Sequence, residues 1–154
     1  MVVLGTVLLG HSVLPVRYPT WDAGAWWVTS LAVVLGGEAA LLLHELSHAL
    51  VARHFGQAVQ RIVFHGFLAE TIVSHGPGEP RHALAIALAG PATNLALALG
   101  AASARSVLHT EAALEVFLLA LVVGNLIMAS MSLLPVRGSD GARALQALRR
   151  ERSL

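Results

Sequence analysis

Four stretches of the chain, about residues 1–16, 25–52, 82–103 and 112–134, are long apolar runs with few charges, and they restrict the fold more than any other feature. A helix needs about 20 residues to cross the hydrocarbon core of a bilayer. Hydrocarbon offers no partner to a backbone N–H or C=O, so a crossing segment has to satisfy its own hydrogen bonds. The composition agrees: 56% of residues are hydrophobic and 12% charged, with a mean hydropathy of +0.70, well outside the usual range of soluble domains. The first run is the shortest. It lacks the basic leader and small-residue cleavage site of a signal peptide and is read as a transmembrane helix. We therefore expect an all-α membrane protein: a polytopic bundle of about four transmembrane helices, forming one membrane-embedded domain over residues 1–154.

Between the second and third runs the pattern changes. Residues 57–76 mix β-branched and aromatic side chains around a glycine and lead into Gly-Pro-Gly-Glu-Pro. This reads as a short membrane-associated β-hairpin or re-entrant loop. RYPTWDAGAWW, Arg17 to Trp27, has turn formers and three tryptophans suited to a membrane interface. Residues 142–154 form a basic cytoplasmic tail, at most a short amphipathic helix. Arginine placement sets the orientation. Arg17 and Arg105 follow the first and third runs, whereas Arg53, Arg61, Arg81, Arg137, Arg143, Arg149, Arg150 and Arg152 lie on the hairpin side or in the tail. Hairpin, tail and both termini are therefore expected in the cytoplasm, with the chain a multi-pass protein of a bacterial cytoplasmic membrane.

There is no cysteine, which excludes disulfides and thiolate metal sites and leaves any metal to His, Asp or Glu. A net charge of +1 without a basic patch, apart from the extreme C-terminus, argues against nucleic acid as a partner. Near the cytoplasmic end of the second run stands LLLHELSHAL, residues 41–50. Histidines four residues apart share one helix face, so His44 and His48 can grip one metal ion. Glu45 is placed to take a proton from water activated there and deliver it to a leaving amine. This is the chemistry of a zinc peptidase. Ionisable residues inside a membrane helix cost about 2.5–3.5 kcal/mol each on insertion scales, which makes chance a poor explanation. Catalytic zinc usually has three protein ligands. The cytoplasmic end of the fourth run lies beside that of the second and brings Asp140, which taken alone would read as part of a Ser-Asp-Gly turn, to the depth of the two histidines.

HELSH at 44–48, AGPATN at 89–94 and LLPVRGSDG at 133–141 together resemble, in the same order, the three signatures of the site-2 protease family of intramembrane zinc metalloproteases. The similarity covers roughly residues 30–145. It implies one Zn2+ per chain on His44, His48 and Asp140, Glu45 as general base, and Asn94 as a catalytic and substrate-binding residue that holds substrate or steadies the oxyanion. It also implies cleavage of a substrate's transmembrane segment, with the hairpin offering a strand edge to the unwound chain. Substrates implied are single-span membrane proteins such as an anti-sigma factor, or remnant signal peptides. Two positions depart from the family pattern: Ser132 stands where Asn usually precedes Leu-Leu-Pro, and Val136 to Ser139 replace the usual proline-rich approach to the aspartate. The chain has neither a PDZ domain nor a CBS pair and is expected to act as a minimal catalytic core.

Glu38, seven residues before Glu45, lies on nearly the same helix stripe and either tunes the site or bonds another helix. Gly90 and Pro91 permit a close helix approach and a kink. Asn125 reads as interhelical glue, and His65 as an interfacial side chain. His11, His54, His75, His82 and His109 fall in loops or at span ends. Two other functions compete: a noncatalytic protein of the same fold that grips substrate helices, against which the intact Glu45 argues, and a metal or proton transporter, which would need a polar path on both sides of the bilayer.

Overall fold

The computed structural model describes residues 2–65, 68–73, 79–108 and 111–153. The apolar runs are helical. Helix α1, Val2–Arg17, contains a π-helical turn at Leu9–Val13 just before Pro15, a residue that cannot donate to the ladder. Helix α2, Ala23–His54, starts at Asp22, whose carboxylate accepts from the Ala25 N–H at 2.9 Å. It ends where Gly56 adopts a positive φ of 72°. Strands β1, Val59–His65, and β2, Leu68–Val73, pair antiparallel with Val63 opposite Glu70, and they pack against α2. Residues 66, 67 and 74–76 of the expected hairpin range lie outside the described residues. Helix α3, Pro80–Val107, and helix α4, Ala112–Ser132, follow, then helix α5, Asp140–Glu151.

Helices α2, α3 and α4 are long and apolar enough to cross a membrane. The expected first span falls short of that: sixteen residues at 1.5 Å each reach only about 24 Å, against a core of roughly 30 Å. The packing is that of a protein in lipid. Among the described residues the buried hydrophobic side chains are alanines except for Leu14 and Leu118, while leucines such as Leu50, Leu99 and Leu134 face outward. Small residues let helix backbones approach, which is how helices associate where lipid removes the hydrophobic drive between them. The polar side chains Thr29, Ser30, His44, Glu45, His48, Asn94, Asn125 and Asp140 are buried inside.

Helix α3 is central and packs against α2, α4 and α5. Helix α5 departs from the expectation of a surface tail. Ser139 caps it by accepting from the Ala142 N–H at 3.1 Å, so the helix begins at Asp140. Its small face, Gly141, Ala144 and Ala147, is buried. At its far end Glu151 accepts from Arg81 Nε at 2.8 Å, at the start of α3. Asp140 to Glu151 spans about 16 Å and Arg81 to Gly90 about 14 Å, so α5 runs back along the first turns of α3, from inside the bundle to its surface. The reason is the contact at Gly141, where a Cβ would lie 2.0 Å from the Leu133 carbonyl oxygen. Only glycine lets α5 start so close to the end of α4. Gly141→Ala is expected to lower stability by about 1–3 kcal/mol, read as an earlier thermal transition in detergent; an unchanged transition would mean that this approach is not needed.

Candidate metal centre

Two turns of α2 and the first turn of α5 bring three ligand atoms together. His44 and His48 are one helical turn apart, and their rings meet edge-on with centroids 4.8 Å apart. The Nε2 atoms are 3.2 Å apart. Asp140, 96 residues further on, places Oδ2 at 3.1 Å from His44 Nε2 and 3.3 Å from His48 Nε2. All three residues are buried.

The chemistry of this trio fits a metal ion. His48 Nδ1 lies 2.6 Å from the Ile86 carbonyl oxygen. A carbonyl can only accept, so Nδ1 carries the proton and Nε2 of the neutral ring presents a lone pair. That lone pair faces a carboxylate oxygen and a second imidazole nitrogen, and such a gathering of acceptors requires protons or a cation at its centre. Ligands about 2.1 Å from a tetrahedral zinc ion stand about 3.4 Å apart; the observed separations are 3.1, 3.2 and 3.3 Å. The group can therefore hold one metal ion. When protons take that central place, burial still works against the charged form of Asp140, but hydrogen bonds donated by His44 and His48 outweigh this and hold the carboxyl well below the usual carboxylate range.

Helix α3 closes the centre. Gly90 packs directly on the histidines: a Cβ there would be 2.3 Å from His48 Nε2 and 2.4 Å from His44 Nε2. Pro91, next in the chain and fully buried, removes the N–H that would bond the Ala87 carbonyl, in the turn where Ile86 accepts from His48. Asn94 is one turn beyond Gly90 on the same helix face. It is 0% exposed, and neither amide atom has a hydrogen-bond partner among the described residues. Glu45 is buried beside His44 at 6% exposure.

The other candidates are placed elsewhere. Glu38 is half-buried, and Asn125 donates within its own helix to the Leu121 carbonyl at 2.8 Å. His82 stacks on Phe55 with centroids 4.0 Å apart, joining the start of α3 to the end of α2. His11 and His54 are exposed. His65 ends β1, and His75 and His109 lie outside the described residues. Sequence reasoning missed the Ile86 carbonyl, since a backbone acceptor has no residue signature. It also missed Ser139 as a helix cap, which Ser before Asp-Gly-Ala could have suggested.

No protein-family model matches the chain. Among curated proteins it is 30% identical over 146 residues to the Synechocystis protein named "Putative zinc metalloprotease sll0528", covering 95% of this chain and 38% of that one. It is 33% identical over 139 residues to "Putative zinc metalloprotease Rip3" of Mycobacterium tuberculosis, covering 88% of this chain and 35% of that one. The chain thus spans under two fifths of the length of these relatives. Among solved structures it matches the site-2 protease from Methanocaldococcus jannaschii with a TM-score of 0.69 at 19% identity, over 97% of this chain and 64% of that one. The chain is a membrane protein with the fold of a site-2 protease. In this site-2 protease fold the metal-binding trio sits where α2, α3 and α5 meet, and His44, Asn94 and Asp140 of the three sequence signatures come from those three helices.

Proposed function

We propose that the chain is an intramembrane zinc endopeptidase that cuts a transmembrane segment of a membrane-anchored substrate. The observation that carries this reading is the convergence of three buried donor atoms from α2 and α5, 3.1 to 3.3 Å apart, with Glu45 adjacent in the chain to one of them. His44, His48 and Asp140 would hold the ion. Zinc bound there supplies Lewis acidity, lowering the pKa of water and polarising the scissile carbonyl. Glu45 accepts the proton of the attacking water and passes it to the departing amide nitrogen, which leaves as an amine. Asn94, with a buried amide free to donate, steadies the carbonyl oxygen as it gains charge. The lipid-facing leucines around the helices keep bulk water away, so these dipoles and charges act at low dielectric.

A peptide bond within a helix is shielded from attack by its own turns. Pairing with an edge of the β1–β2 ladder would hold the substrate extended. The arginine distribution supports an orientation with the hairpin end, α5 and the C-terminus in the cytoplasm, so cleavage falls toward the cytoplasmic side of a bacterial membrane. Substrates of that geometry are single-span proteins, such as an anti-sigma factor, or signal-peptide remnants.

The test is reconstitution of the purified protein in lipid with a panel of single-span substrates and measurement of bound zinc. The expected result is one zinc per chain and cleavage that stops on treatment with a strong chelator and returns with added zinc. Protein that takes up no zinc, or cleavage indifferent to chelation, would overturn the reading.

A further inference from the structure

Asp140 turns only one of its oxygens to the histidines. Oδ2 is the atom 3.1 Å and 3.3 Å from the two Nε2 atoms, while Oδ1 faces the guanidinium of Arg143, whose Nη1 is 3.8 Å away. Arg143 lies three residues on, in the first turn of α5, with its side chain 42% exposed. For the helix alone this is a poor position. The first turn is the positive pole of the helix dipole, where a cation is disfavoured. The outward end of α5 already carries Arg149, Arg150 and Arg152, and Arg143 is held about 9 Å further inside, where charge is more costly. A cation serving only solubility or the dipole belongs at the other end. Its ion pair with Asp140 helps to offset both costs.

We infer that Arg143 is a positioning residue for the metal centre: its guanidinium holds Oδ1 of Asp140 away from the histidines, so that the carboxylate offers Oδ2 alone. This rests on the zinc reading above. A carboxylate free to swing can bind a metal through both oxygens and occupy the position that a catalytic site keeps open. One held by its second oxygen cannot. Losing such an outer partner typically costs 10–100-fold in metal affinity.

The test compares zinc affinities, by competition with a chromophoric chelator, for the purified wild-type chain and the variants R143Q, R143L, R143K and R149Q in one detergent. The expected result is zinc binding weaker by about 10–100-fold in R143Q and R143L, recovered largely in R143K, with R149Q indistinguishable from wild type. The zinc-free R143Q and R143L proteins should melt with the zinc-free wild type; R143L keeps the comparison open if R143Q fails to accumulate. Wild-type affinity in both neutral variants would overturn the positioning role alone. So would an equal loss in R149Q, or a fall in zinc-free melting temperature that tracks the affinity. A wild-type chain that takes up no zinc overturns the zinc reading, and this inference with it.

Discussion

Glu45→Gln is expected to keep its zinc and to lose cleavage by about two to four orders of magnitude, the usual contribution of a positioned general base. The substitution is close to isosteric, which matters at a residue only 6% exposed. It removes the charge and the basic oxygen without opening a cavity. Glu45 is not one of the three residues whose donor atoms converge, so the metal-binding group stays whole. The measurement pairs zinc content with the cleavage rate of a reconstituted single-span substrate. Cleavage near the wild-type rate would remove Glu45 from the mechanism. Loss of zinc would instead make Glu45 part of the metal-binding group.

Gly90→Ala is expected to abolish tight zinc binding while leaving α3 helical. A methyl group there would lie 2.3 Å from His48 Nε2, 2.4 Å from His44 Nε2 and 2.6 Å from His44 Cε1, far inside van der Waals contact. It would stand where the donor atoms meet, and the rings would have to turn away from Asp140. The helix itself gains from the change, because alanine is favoured over glycine in a helix interior by about 1 kcal/mol. Loss of zinc with retained helical signal would therefore report on the centre and not on unfolding. Wild-type zinc affinity in this variant would mean that the ion sits away from the Gly90 face. Both substitutions separate the site from the scaffold, one by charge and one by volume.

Much of the scaffold can be read from the amino-acid sequence because hydrocarbon imposes one rule on every crossing segment. The runs expected at 25–52, 82–103 and 112–134 correspond to Ala23–His54, Pro80–Val107 and Ala112–Ser132. Asp22, Pro80 and Gly56 mark their edges by well-understood backbone preferences. His44 and His48 were visible through helical spacing, and Asp140 through its depth relative to them. Less legible were features that depend on how helices approach. Nothing in ARALQALRRERSL says that its helix starts inside the bundle; that follows from Gly141 against the Leu133 carbonyl. The partners that orient the centre, the Ile86 carbonyl and Arg143, belong to other turns of helix, and their roles exist only once α3 and α5 are packed.

The separation between the donors along the chain carries a consequence for timing. His44 and His48 emerge from the ribosome with α2, whereas Asp140 follows only after α3 and α4 have been made, 96 residues behind His44. Until then the nascent protein has two imidazoles in the bilayer and no carboxylate to complete them. A pair of histidines alone holds zinc weakly, so the ion is retained only once all three crossing helices exist and α5 has tucked in among them. On the function proposed above, a partly made chain would thereby stay hydrolytically silent, and metal capture would mark the moment at which the bundle closes.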